Sequence, residues 1–340
     1  MMQRAALVTA LSLGLSATFA CGEDDLTFLG TTLDVVDSHL HTGTWDTIAP
    51  PQQEFLKEVL PFPIGLFPES VVNDILSAPA IVKQLDESGI SRAVLFAVYA
   101  ERSVGVTTNE FVAERIEEAP ERFWGFASLD LVALSAAEDP MPLLDALEAA
   151  FDNEAMVGIK LAHPHAGVAL DEERTYGVYE LAGRLGVPVY VHAGNTPARN
   201  AIVDEEYSDA AFLEEAIARY PDTTFILGHV GYDFINKDLG QLETVLRLAA
   251  DHDNVYLEAS ALGSSGSDPE GTNLPIVLRS IREAGLVDRL VYGSDGPQRP
   301  GFVKDYLART LRALEKAEYS EQEAQAFLAD NFLALIGRSL

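Results

Sequence analysis

LDVVDSHLH, residues 33–41, starts as an apolar run of strand type and ends on two histidines two residues apart. Side chains at i and i+2 of a strand point the same way, so this run delivers both imidazoles to one side of its C-terminal end. Seven further short runs rich in Val, Ile, Leu, Phe and Tyr follow: RAVLFAV (92–98), FWGFASL (123–129), VGIKLA (157–162), VPVYVH (187–192), TFILGH (224–229), VYLEAS (255–260) and RLVYGS (289–294). Continuous apolar runs of this length belong to strands buried on both faces, as in a parallel sheet. The stretches between them, such as NEFVAERIEEAPE (109–121) and DAAFLEEAIARYPD (209–222), set apolar residues three and four apart with acids between, as crossover helices do. Eight such units predict an α/β fold, a (β/α)8 TIM barrel over residues 31–340, with its active site at the C-terminal ends of the strands. One connection is long. Residues 42–80 carry APPQQ and LPFPIGLFP, an apolar, Pro-rich insertion after the first strand that reads equally as a lid or as a loop packed on the rim.

Composition narrows the function. The 340 residues hold 53 acidic and 23 basic side chains, a formal charge of −30, which excludes a nucleic-acid-binding surface as the default. A single cysteine excludes an internal disulfide and a thiolate metal cluster. Residues 1–20 pair one early positive charge, Arg4, with an apolar run that ends in small residues, as a secretory signal peptide does. Cys21 at the expected cleavage point resembles the lipidated N-terminus of a bacterial lipoprotein, although Thr18 stands where that signal usually has Leu. Residues 21–30 then form an exported linker. The protein is expected outside the cytoplasm, anchored to a membrane through Cys21, or else periplasmic or secreted, and an oligomer is left open.

Six of the seven histidines fall at or just beyond strand ends: His39, His41, His163, His165, His192 and His229. The eighth run adds Asp295 in YGSDGP. Nitrogen and carboxylate donors arriving from four strands suit Zn²⁺, with Mn²⁺, Fe²⁺ or Ni²⁺ as other divalent candidates. His163, Arg102, Arg199, Arg299 and Trp45 follow strands and are candidate substrate contacts, whereas His165 reads as a solvated loop residue.

TNEFVAERIEEAPERFWGFASLD (108–130), GIKLAHP (158–164) and DRLVYGSDGPQ (288–298), taken with these candidate ligands, resemble the amidohydrolase superfamily. The resemblance is to its amidohydrolase-related branch, which contains aminocarboxymuconate semialdehyde decarboxylase. It implies a metal held by His39, His41, His192 and Asp295. His229 is then a catalytic residue around one ion, or a ligand around two. Lys160 corresponds to the lysine that bridges two ions when carboxylated. The alternative is a neutral or acid-paired Lys160 that holds substrate beside one ion.

Three functions follow. The first is a hydrolase that cleaves an amide, ester or lactone bond of a small molecule with a metal-activated water, Asp295 taking the water's proton and His229 polarising the carbonyl. The second is a metal-dependent decarboxylase of a small unsaturated or aromatic acid, which needs a cation for the carboxylate; one of the three arginines is expected to supply it by facing the metal, and hydrolysis gains if none does. The third is a lipoprotein that binds a ligand without turnover.

Overall fold

The computed structural model describes residues 26–59 and 66–340. Eight strands form one parallel sheet in the order β1 (Val36–His41), β2 (Arg92–Phe96), β5 (Phe123–Ala127), β6 (Met156–Leu161), β7 (Val189–His192), β8 (Phe225–Gly228), β9 (Val255–Glu258) and β10 (Leu290–Val291). Seven of the eight apolar runs contain one of them, and β6 starts one residue before its run, at Met156. The sheet closes through main-chain bonds that run past the end of β10: Ser38 N–H to Tyr292 O at 2.9 Å, Asp295 N–H to His39 O at 2.9 Å and His41 N–H to Gly296 O at 2.7 Å. Closure therefore lays Asp295 beside His39 through the backbone itself.

Two apolar layers hold the barrel. Outward-facing strand residues such as Leu95, Ile159, Val191 and Leu227 pack against the surrounding helices. Inward-facing Val94, Phe96, Trp124, Phe126, Tyr190 and Ile226 fill the interior, and Phe332 of the C-terminal helix Asn331–Leu335 joins that inner cluster. The period of two then decides what lies above this layer. Tyr190 leads to His192, Ile226 to Gly228 and Tyr256 to Glu258 on the same inner side.

The crossover helices start and stop where their chemistry directs. The helix Asn109–Glu118 is capped by Thr108, whose side chain accepts from Phe111 N–H at 3.2 Å. The helix Ala78–Ser88 ends on Gly89 in the left-handed conformation. The stretch 209–222 divides into a 3-10 turn, Ala210–Leu213, and the helix Glu214–Arg219.

The connection after β1 is more ordered than a loop. Its described parts hold a 3-10 turn, Trp45–Thr47, and helices Pro50–Val59 and Pro68–Ile75 before the helix Ala78–Ser88. An antiparallel hairpin, β3 (Val98–Ala100) with β4 (Gly105–Thr107), follows β2, with Ile48 bridging to Gly105. Gly105 has φ +123, and a Cβ there would lie 2.0 Å from Thr47 O, so only glycine lets the insertion seat on the hairpin. Strands of three residues are too short for periodicity to reveal, and the sequence reading runs β2 straight into β3. The expected signal peptide, linker residues 21–25 and Cys21 lie outside the described residues, as do residues 60–65, the first six of LPFPIGLFP. No helix among the described residues is long and apolar enough to cross a membrane.

Candidate metal centre and active site

β1 presents His39 and His41 to one side, as their spacing requires. Their Nε2 atoms are 3.3 Å apart, and Asp295 Oδ1 lies 3.2 Å from the first and 3.0 Å from the second. Three ligand atoms this close, two imidazole nitrogens and one carboxylate oxygen, form a group that could hold a metal ion. Asp295 has φ +62, a conformation that Asp tolerates better than most residues. Burial opposes its ionisation, but His39 and His41 hold its carboxyl well below the usual range.

His192 and His229 stand at the ends of β7 and β8. Their rings are 4.5 Å apart, and the ring of His229 is 5.4 Å from that of His39. They therefore border the three-atom group without joining it. His192 Nε2 is buried with no hydrogen-bond partner among the described residues. Burial, reinforced by His229, His165 and Lys160, keeps His192 neutral. His229 is neutral for the same first reason, its value pushed down to about 4.

Lys160 on β6 is 3% exposed and makes no ion pair or hydrogen bond through Nζ among the described residues. Nζ lies 3.8 Å from the centroid of the Tyr190 ring and 5.1 Å from that of Phe96. The same two rings flank His39, at 5.0 and 4.4 Å. The amine therefore shares an aromatic wall with the metal-type group. Burial draws its value down to about 7, against the attraction of Asp295 and Glu258.

The remaining candidates divide between the mouth and the surface. His165 belongs to the mouth, contrary to expectation: half-buried, its ring meets His192 at 5.0 Å, and burial draws its value down to about 3. His163 is fully buried, its Nδ1 bonding the carbonyls of Val168 and Ala169 at 3.1 Å each, while Nε2 has no partner. The arginines lie on the surface. Arg199 pairs with Glu58 of the insertion, Arg299 pairs with Asp305 at 2.9 Å, and exposed Arg102 lies against Gly167. A carboxylate at the mouth would thus meet Lys160 where an arginine was expected. Trp45 faces Lys57, at 5.8 Å.

The residue that sequence reasoning missed is Glu258, the acid that ends β9 with no exposed surface. Its Oε1 lies 3.2 Å from His39 Nδ1, and its Oε2 accepts from Tyr190 O–H at 3.0 Å, His229 N–H at 3.1 Å and Ser260 O–H at 2.8 Å. Burial would raise its value, but His39 and the His229 N–H bring it down to about 2. Two glycines leave room for this cluster. A Cβ on Gly293 would stand 2.2 Å from Glu258 Oε1, and one on Gly228 would stand 2.0 Å from Tyr190 Oη. An ionisable residue inside the apolar run VYLEAS was the available signal, since such a residue is buried only with partners.

The family model described as Amidohydrolase matches residues 36–338, nearly the whole barrel. The chain belongs to that family. Among curated proteins, a dihydroorotase of Leptothrix cholodnii is 23% identical over 177 residues, 48% of this chain and 49% of the relative, so the chain spans about half the length of the relative it matches. Among solved structures, the chain is similar to a 5-carboxyvanillate decarboxylase of Novosphingobium aromaticivorans complexed with manganese and a nitrobenzoic acid (TM-score 0.61, 15% identity, covering 93% of this chain and 99% of that one). It is also similar to a dihydroxybenzoic acid decarboxylase of a Polaromonas species with bound manganese (0.60, 18%, 90% and 97%). A third likeness is to a probable 2-pyrone-4,6-dicarboxylic acid hydrolase of Acinetobacter baumannii (0.58, 17%, 90% and 100%). At these identities the likeness establishes the fold.

Proposed function

We propose that this amidohydrolase is a metal-dependent decarboxylase that removes CO₂ from a small aromatic or unsaturated carboxylic acid. The observation that carries the proposal is Lys160, a buried amine without an acid partner, set on the aromatic wall shared with His39. An incoming carboxylate supplies the charge partner that the protein withholds, and Phe96 and Tyr190 offer ring faces beside it. The decarboxylases of similar fold, both with manganese, point the same way and favour Mn²⁺ over Zn²⁺ as the ion.

A divalent ion held by His39, His41 and Asp295, with His192 alongside, would act as a Lewis acid toward the substrate's oxygens. Lys160, as ammonium, binds the carboxylate. His229, neutral, accepts a hydrogen bond from a hydroxyl of the substrate and orients it. As the carbon–carbon bond breaks, its electron pair stays on the substrate carbon and CO₂ leaves uncharged. Lys160 then has no counter-charge, and the proton that burial disfavours passes to that carbon; solvent returns one proton per turnover.

Hydrolysis is the second reading. It is favoured by the dihydroorotase match and by the hydrolase of similar fold, and it takes Lys160 as a carboxylated bridge between two ions. Product analysis separates the two. With Mn²⁺-loaded protein, hydroxybenzoates and carboxyvanillate are expected to release CO₂, and chelation is expected to reduce release to background until Mn²⁺ is restored. Cleavage of dihydroorotate or of a pyrone dicarboxylate, with no CO₂ from any acid and two ions per chain, would replace decarboxylation with hydrolysis. Ligand binding without turnover has no support from either kind of relative.

Export and acylation at Cys21 complete the proposal, on the strength of the apolar leader alone. Labelled palmitate is expected to enter the wild-type chain and not Cys21→Ser; equal labelling of the two would remove the anchor.

A further inference from the structure

Four donors converge on Glu258, and their proton inventory has one consistent solution. An ionised carboxylate only accepts, so Tyr190 O–H, Ser260 O–H and the His229 main-chain N–H all point at Oε2. A serine hydroxyl has one proton, and that of Ser260 is committed to Glu258 at 2.8 Å. Toward His229 Nδ1, 2.9 Å away, Ser260 Oγ can therefore only accept, and the Ser260 carbonyl, 3.4 Å from the same nitrogen, is also an acceptor. The hydrogen of neutral His229 is thus on Nδ1, and Nε2 keeps its lone pair. On the other side Nδ1–H of His39 has two acceptors at 3.2 Å, Glu258 Oε1 and Ser260 Oγ, which leaves His39 Nε2 aimed at His41 and Asp295.

We infer that Glu258 is a positioning residue that sets the tautomers of two histidines on different strands, His39 directly and His229 through Ser260. It makes the first a metal-type donor at Nε2 and the second a hydrogen-bond acceptor at Nε2. The backbone points to the same arrangement. His229 and Val230 have φ +58 and +45, strained for non-glycine residues, at the point where the His229 N–H meets Glu258 Oε2 at 3.1 Å. The inference rests on the proposed reaction for the use of His229, but the hydrogen-bond geometry stands without a substrate.

Glu258→Gln exposes the logic, because an amide cannot accept at both ends. If its NH₂ faces His39, the His39 proton is driven to Nε2. If its NH₂ faces Ser260, that hydroxyl turns and donates to His229 Nδ1, driving the His229 proton to Nε2. Two-bond proton–nitrogen spectra of ¹⁵N-histidine-labelled full-length protein read this directly, with His39→Asn and His229→Asn providing assignments. His229 is read metal-free at pH 7, and His39 with diamagnetic Zn²⁺ added. Wild-type protein is expected to show Nδ1–H at both. Glu258→Gln is expected either to move His229 to Nε2–H or, by turning its NH₂ to His39, to weaken Zn²⁺ binding about 10-fold or more. An Nε2–H signal from His229 in the wild type, or an unchanged His229 tautomer together with unchanged Zn²⁺ affinity in Glu258→Gln, would overturn the inference. If Glu258→Gln does not fold, the wild-type spectrum decides alone. Absence of CO₂ release from any acid would leave this result untouched and overturn only the proposed reaction.

Discussion

Asp295→Asn is expected to lower kcat about 10³-fold while changing KM by less than about 5-fold, because the ion that would polarise the substrate loses the one anionic member of its three-atom group. The side chain keeps its shape. It loses the negative charge that Oδ1 places 3.0 and 3.2 Å from two imidazole nitrogens. In the metal-free protein that charge helps to hold His39 above its ordinary value against burial, with Glu258 acting on the opposite ring nitrogen. Steady-state kinetics with saturating Mn²⁺, together with titration of Mn²⁺ into both proteins, separates a chemical defect from a binding defect. Full activity in Asp295→Asn would show that the three-atom group takes no part in turnover.

Lys160→Met is expected to move activity and stability in opposite directions. The amine has its folded value drawn from 10.5 to about 7, so between those values the unfolded chain binds the proton that the folded chain sheds. Stability therefore rises with pH through that window, and below pH 7 the buried cation is a full liability. Methionine fills a similar volume and removes that term. At pH 6 the metal-free variant is expected to gain on the order of 1–4 kcal/mol in urea unfolding, a gain that disappears above pH 10. Its kcat/KM on a carboxylic acid is expected to fall about 10²–10⁴-fold. Loss of stability at pH 6 would mean that Lys160 has a charge partner in the folded protein. Loss of one of two bound ions would mean that it is carboxylated, and the reaction would then be hydrolysis.

That opposition is typical of a site whose shape is maintained at some expense to the fold. The barrel supplies the stability through its two apolar layers, and the mouth carries the liabilities: a lysine without a partner, left-handed His229, Val230 and Asp295, and buried histidine nitrogens with open valences.

The eight strands and the C-terminal ring were legible in the chain because they rest on local rules. A strand buried on both faces must be apolar, crossover helices must be amphipathic, and H-x-H in a strand must converge. His39, His41 and Asp295 meet as those rules require, with the barrel's own closure bonds bringing the third to the first two. Partner choice was not legible. Arg102, Arg199 and Arg299 follow strands just as the site residues do, and nothing in their neighbours distinguishes a guanidinium turned to the metal from one paired with Glu58 or Asp305. His165 was misjudged for the same reason, since a polar loop residue becomes a mouth residue only when β7 brings His192 against it.

Sequence patterning is enough to fix the cylinder and to say which of its ends gathers the candidate metal ligands, because burial and periodicity act along a few consecutive residues. Tertiary closure alone left Lys160 without an acid partner among the described residues and made Glu258 the common acceptor for His39, Tyr190 and the His229 N–H. Those roles depend on distances between strands remote in the chain, and a hydrogen bond is decided over a few tenths of an ångström that no local pattern encodes.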